Sequence, residues 1–331
     1  TAVQLQPGSL SALGGLGTTL TFGSDTLVGD VTLATGLFTT AGGGRLAVAG
    51  GTLKLGSNTA DDVVTGLNGG TRVGTTGTSA TLDLNGFSTT VINLVGTAAG
   101  TITNTSVTPG LLTLANSNST QYDGLISGAA LRIAKTATGT LTLTGNNTYG
   151  GTSTISAGVL QIGSGGTSGS LGSGDVINNA QLVFNRSNDF TVANAISGSG
   201  TLSKLGAGRL TLSGASSYAG QTTVSAGTLT VANATALGTN AGGTVANDGT
   251  TLELQGGITV TGEALTINGI GVSGGGALRN VSGNNRWTGT IFLGSDASIF
   301  AADGRLDIDA IDNGTRNLTT GGAGVIAITS A

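Results

Sequence analysis

The sequence predicts an all-β chain, wound as a right-handed single-stranded parallel β-helix (a solenoid) and running as one continuous domain over residues 1–331. Three observations lead there. One stretch of the chain recurs almost residue for residue. Within each copy, short runs alternate apolar and polar side chains, and Gly, Asn and Ser separate the runs. Helical periodicity is missing, and 62 of the 331 residues are Gly, which weakens a helix wherever it sits inside one.

The repeat carries the most weight, because self-similarity at a fixed period is the signature of stacked architectures. Residues 135–163 read KTATGTLTLTGNNTYGGTSTISAGVLQIG, and residues 204–232 read KLGAGRLTLSGASSYAGQTTVSAGTLTVA, aligned with no gap. Leu141 matches Leu210, Gly145 matches Gly214, Tyr149 matches Tyr218, Gly158 matches Gly227 and Leu160 matches Leu229. Upstream the match continues with a slip of one residue, Ile126-Ser127-Gly128 against Ile196-Ser197-Gly198. A worn third copy closes the chain with Ala310-Ile311, Gly322-Ala323-Gly324 and Val325-Ile326-Ala327-Ile328. The copies lie at about 126–195, at 196–232 and onward, and in part at 310–331.

Each copy resolves into elements. Leu141-Thr142-Leu143 reads as a strand, and a Gly-rich turn follows it. Ser153-Thr154-Ile155-Ser156 is a second strand, Ala157-Gly158 a corner, and Val159-Leu160-Gln161-Ile162 a third strand. Period-two alternation buries one face and wets the other. A β-sandwich also shows short strands, but it is a closed unit of about 100 residues with larger aromatics in its core. Here aromatics are 3% of the chain and the repeat is open-ended. A coil of about 20–25 residues per rung would give roughly 13–16 rungs, each burying its face only against its neighbours.

Composition narrows the function classes. Charged residues are 8% of the chain, against roughly a quarter in an average soluble domain. Disorder fits poorly, because mean hydropathy is +0.26 and Val, Ile, Leu and Thr are abundant. The net charge of −4 comes without basic runs, so the phosphate-neutralising footprint of a nucleic-acid binder is missing. No apolar run is long enough for a spanning helix. Without an initiator Met or a signal peptide, the chain reads as a mature or excised piece. Zero Cys excludes disulfides and thiolate metal sites, and zero His excludes a Ser-His-Asp triad.

The segments LTLTGNNTYGGTSTISAGVL (141–160) and LTLSGASSYAGQTTVSAGTL (210–229) resemble the autotransporter-associated β-strand repeat, or passenger-associated repeat, of Gram-negative surface proteins. Ile196-Ser197-Gly198-Ser199-Gly200 and Gly206-Ala207-Gly208 share the likeness, as does ATLDLNGFSTTVINLVGTAAGTITN at 80–104. The likeness is strong from about 80 to 229, patchy over 285–331 and weak over 1–54. It implies a β-helical passenger displayed outside the cell, in a parent protein anchored by a C-terminal outer-membrane barrel. The alternating ten-residue segments of such a barrel are missing here.

Candidate sites are sparse. Asp307 and Asp309 are two apart and so share a strand face, with Asp312 close behind. Carboxylates on one face repel unless a cation or an arginine lies between them, so the leading reading is a solvated acidic face with Arg305 as local partner, and the lesser one is a calcium site at Asp307, Asp309 and Asp312. The segment matches neither an EF-hand loop nor a calcium β-roll repeat. No cofactor other than calcium is implied. Asp61-Asp62 reads as a solvated pair. Tyr149 and Tyr218 could stack sugars or cover the core at a corner. Trp287, the single Trp, could anchor a partner or cap a gap. Asn146-Asn147 and Asn284-Asn285 suggest amide ladders at turns.

The leading expectation is a non-enzymatic cell-surface stalk of an adhesin, whose partner is a host-cell or neighbouring-cell surface or a polysaccharide. The second is an extracellular filament growing by head-to-tail self-association through open β-helix ends. A polysaccharide-active β-helix enzyme is the remote third, since 8% charged residues furnish little for a catalytic groove.

Overall fold

The computed structural model describes residues 27–28, 31–33, 46–55 and 70–330. Its strands pair in parallel and build a β-solenoid of about 12 turns. A single 3-10 turn, Val272–Gly274, is the one helical element among the described residues. The chain packs as two compact units, 1–164 with 168–175 and 165–167 with 176–331.

In the first unit, Leu53 stacks on Leu82, Leu82 on Ile102 and Ile102 on Ile126. All four are buried. A second wall sets Val91 beside Leu114 and Leu114 beside Lys135, and a third sets Leu141 beside Leu160 and Leu143 beside Ile162. The strands expected from alternation fall at Thr140–Leu143, Ser153–Ile155 and Val159–Ile162.

The second unit repeats the scheme over more rungs. Phe190, Leu210, Leu229, Leu252, Leu278 and Ile299 form one inward column. Complete burial of a Leu or Ile is worth about 1.5–3 kcal/mol, so the five aliphatic members carry most of this column, with Phe190 half-buried at its end. The step between rungs is uneven. Thr244 bonds Glu263, 19 residues on, whereas Ile258 bonds Asn285, 27 residues on. The longer step accommodates an excursion at Gly269–Gly276.

The corner after the second strand of each repeat requires Gly. Gly158 has φ 69° and Gly227 has φ 66°. A Cβ there would lie 2.5 Å from the Ala137 carbonyl oxygen in one copy and 2.5 Å from that of Ala207 in the other. The rungs therefore touch backbone to backbone at this edge. The expected amide ladders do not form. Asn147 is buried, accepts the Ile126 N–H at 2.8 Å and donates to the Ser170 carbonyl at 2.7 Å. In the second copy Ser216 does the first of these tasks, accepting the Ile196 N–H at 3.1 Å. The amides serve the corner backbone, whose groups would otherwise be buried unpaired. One amide–amide contact, Asn285 Nδ2 to Asn280 Oδ1 at 2.5 Å, joins residues five apart.

Candidate functional site

The acidic segment lies on strand Arg305–Asp312, between strands Asn284–Ala301 and Val325–Ser330. Each of its paired carboxylates meets an arginine. Arg305 Nε donates to Asp307 Oδ1 at 2.7 Å. Arg286 grips Asp309 with two bonds, at 2.9 and 3.0 Å, and this raises the pKa of the guanidinium. Asp312 is exposed and accepts the Gly314 N–H at 3.1 Å. Repulsion on the shared face is thus relieved by guanidinium groups. The calcium expectation for Asp307, Asp309 and Asp312 finds no support in this arrangement. Among the described residues, no group of three or more His, Cys, Asp or Glu is placed to hold a metal ion. Asp61 and Asp62 lie outside the described residues.

The aromatic candidates are interior. Tyr149, Tyr218 and Trp287 are each 0% exposed. The Tyr149 hydroxyl pairs with Ser153 Oγ at 2.8 Å, and the Tyr218 hydroxyl with Thr222 Oγ1 at 2.6 Å. Burial raises the pKa of both phenols. Trp287 donates its Nε1–H to the Glu263 carbonyl at 2.8 Å. None of the three offers a ring face at the surface, so of the two readings of each, the core-covering one fits their position and the sugar platform and partner anchor do not. The physical reason is the small size of the other core side chains, which leaves corner volume that an aromatic ring fills while its polar tip reaches a partner.

Three groups of charges escaped the sequence reading. The first is on the outer wall of the second unit. Glu253 is 3% exposed. Arg209 clamps it with Nε–Oε2 at 2.9 Å and Nη2–Oε1 at 3.3 Å, and also reaches Asp189 at 3.2 Å. Arg279 approaches from the other side at 3.7 Å, and Thr230 donates at 2.9 Å. The excursion at Gly269–Gly276 folds onto the same wall, where Thr251 Oγ1 accepts the Val272 N–H and donates to the Gly276 carbonyl.

The second group is a pair of lysines at the same repeat position, both 0% exposed. The Lys135 ammonium donates to the carbonyls of Asn116, Ala137 and Ala157. That of Lys204 donates to the carbonyls of Gly206 and Ala226. Burial lowers both pKa values, that of Lys204 to about 8, while Asp189 pulls Lys204 back up. Alternation along Leu131–Lys135 and Thr201–Lys204 is the signal that sets both lysines on the inward face, against the usual preference of a charge for water. The lone pairs of the corner carbonyls resolve the conflict. The third group is Glu263, 3% exposed, which accepts Thr244 Oγ1–H at 2.8 Å. Burial raises its pKa, and the Thr244 bond partly opposes this.

Chemically, the buried ionisable groups so described are satisfied inside the coil or along its wall. The two buried lysines sit at residues 135 and 204, inside the two stretches that a family model for the passenger-associated-transport-repeat matches, residues 133–162 and 202–231. The chain carries two such repeats. A stretch of 68 residues, 20% of the chain, is 48% identical to the adhesin BmaC autotransporter of Brucella suis biovar 1 and spans 2% of that protein's length. No solved structure matches the chain. Over these segments the chain is similar to the repeats of autotransporter passengers and to an autotransporter adhesin.

Proposed function

We propose that the chain is a segment of a surface-exposed adhesin stalk, displayed outside a bacterial cell and devoid of catalysis. The observation that carries this reading is the pair of passenger repeats, each occupying successive rungs of a parallel solenoid. The physical features agree with it. Charges are few, 8% of the chain with a net charge of −4, so the walls repel an approaching surface only weakly beyond a Debye length. Rungs bury apolar columns against one another, which suits an element that holds shape without disulfides. The partner in this reading is a host-cell or neighbouring-cell surface or a polysaccharide, and an outer-membrane barrel elsewhere in a longer parent holds the stalk to the cell.

Beads coated with the purified chain, incubated with host cells and with a panel of immobilised polysaccharides, test the proposal. Saturable attachment that soluble chain displaces is the expected result. Beads that bind nothing while the chain remains folded would refute an adhesive role for this segment. Shortening of any polysaccharide would refute the non-enzymatic reading.

A further inference from the structure

Of the three carboxylates in the acidic segment, two are consumed by Arg305 and Arg286, and the third does something different. Asp312 Oδ1 accepts the main-chain N–H of Gly314 at 3.1 Å. Between them stands Asn313, so the carboxylate rests on the amide that follows an asparagine. That amide nitrogen is the nucleophile in asparagine cyclisation. From this juxtaposition we propose that Asn313 is a site of self-modification, converted through a cyclic succinimide to aspartate and isoaspartate with Asp312 as the proton acceptor.

The step balances. The Gly314 nitrogen forms a bond to Asn313 Cγ and passes its proton toward Asp312 Oδ1. The Cγ–Nδ2 bond breaks, and the nitrogen leaves as ammonia after taking up a proton. Water then opens the ring at either carbonyl, giving aspartate or isoaspartate. No oxidant and no second protein are needed.

Local geometry favours this position over other Asn-Gly pairs of the described chain. Asn313 is exposed, and a Cβ built on Gly314 would meet nothing within 4 Å, so the turn has room to close a five-membered ring. The side-chain amide is held by one long bond, Nδ2 to the Arg316 carbonyl at 3.4 Å. At Asn85–Gly86, Asn85 Nδ2 donates to the Leu55 carbonyl at 3.1 Å, and the Gly86 N–H is held by Asn104 Oδ1 at 2.6 Å. A Cβ at Gly86 would also lie 2.9 Å from Ser106 Oγ. At Asn268–Gly269, Asn268 Nδ2 donates to the Ala246 carbonyl at 3.0 Å, and Ser295 Oγ holds the Gly269 N–H at 3.0 Å. In those two pairs the glycine N–H is already held by a neutral oxygen in crowded surroundings, and a Cβ at Gly269 would lie 1.8 Å from Asp248 Oδ1, whereas the Gly314 N–H itself points at a carboxylate in the open. Asn68–Gly69 lies outside the described residues.

The product matters for the surface. A new carboxylate arises beside Asp312, and the isoaspartate form adds a methylene to the main chain. An exposed turn next to strand Arg305–Asp312 would thereby become more acidic and change shape as the molecule ages, without any enzyme. The inference stands whether or not the segment is adhesive.

The test is peptide mass spectrometry on the folded chain after prolonged incubation at neutral pH. Electron-transfer fragmentation separates aspartate from isoaspartate. The expected result is conversion at Asn313 well ahead of Asn85 and Asn268. A positioned base contributes about 10²–10⁴-fold in an enzyme site, and this open turn is expected to reach about tenfold, so Asp312→Asn should slow conversion about tenfold. Gly314→Ala should slow it further by crowding the attack. Conversion at Asn313 no faster than at Asn85 or Asn268 would overturn the proposal. So would an Asp312→Asn rate equal to or above that of the native chain.

Discussion

Replacing Lys204 by Met tests the idea that an ammonium group is held inside the coil by main-chain carbonyls. Methionine keeps the apolar stem and deletes the charge. The carbonyls of Gly206 and Ala226 then lose their donor. A buried acceptor left without a partner costs about 1–3 kcal/mol, so two cost about 4 kcal/mol at mid-range. The substitution also removes a burden. Holding the charged form at a pKa of about 8 rather than 10.5 costs the folded state about 3 kcal/mol. At neutral pH the two nearly cancel, and Lys204→Met should lose only about 1 kcal/mol. The pH profile separates them. A base whose folded pKa is lowered weighs against folding while charged, below about 8, and that weight lifts as pH rises toward 10.5. The native chain should therefore gain about 2 kcal/mol between pH 8 and pH 10, and Lys204→Met should not. Above pH 10 the window closes, since phenols with raised folded pKa values begin to ionise in the unfolded chain and stability falls. Urea unfolding followed by Trp287 emission is the assay. Trp287 is the single Trp, is buried, and belongs to the same unit as Lys204. Parallel pH profiles for the two proteins would refute the reasoning.

Other perturbations should read as follows. Glu253→Gln strips the carboxylate charge from between Arg209 and Arg279. Breaking a buried pair costs about 3–5 kcal/mol, and because both arginines are part-exposed the expected loss in a urea titration is about 1–3 kcal/mol. Glu263→Gln should stabilise the chain at pH 7. The neutral acid's contribution is complete below the unfolded pKa near 4.5 and is lost as pH climbs through the raised folded value, so the variant's advantage should vanish in acid melts. Lys135→Met strands three carbonyls rather than two, and by far-UV melting it should cost more than Lys204→Met. Gly214→Ala places a Cβ 2.1 Å from the Asn194 carbonyl oxygen, and the forced backbone shift should lower stability by about 1–3 kcal/mol or more in the same titration.

Strand positions were legible because they depend on local alternation. Thr140–Leu143 and Val159–Ile162 follow directly from LTL and VLQI, and the Ala-Gly corner follows from the repeat. What lies over the outside of a sheet was not legible. Thr251 and Glu253 point away from the core by alternation, yet both are buried. The residues that cover them come from elsewhere: Val272 and Gly276 bond Thr251, while Arg209, 44 residues earlier, clamps Glu253. Residue type alone carried no reading of the lysines and left two readings open for the aromatics. A lone Trp and two recurrent tyrosines resemble a binding set in a list of side chains. Their burial follows from corner volume, which no pairwise motif encodes. The acidic segment was read better, since its alternative partner, Arg305, sits two residues from Asp307 on the same strand.

The uneven step between rungs has a consequence for how such a chain can change over generations. A bond that spans 19 residues at Thr244–Glu263 and one that spans 27 at Ile258–Asn285 serve the same kind of coil. Residues added at a corner bulge outward, as at Gly269–Gly276, while the apolar columns Leu252–Leu278–Ile299 keep their register. Corner insertions are then nearly neutral for folding, and mutations in the columns are not. An exposed wall built this way can be rewritten one corner at a time under pressure from whatever recognises it, with the hydrogen-bonded ladder left as heritable scaffolding.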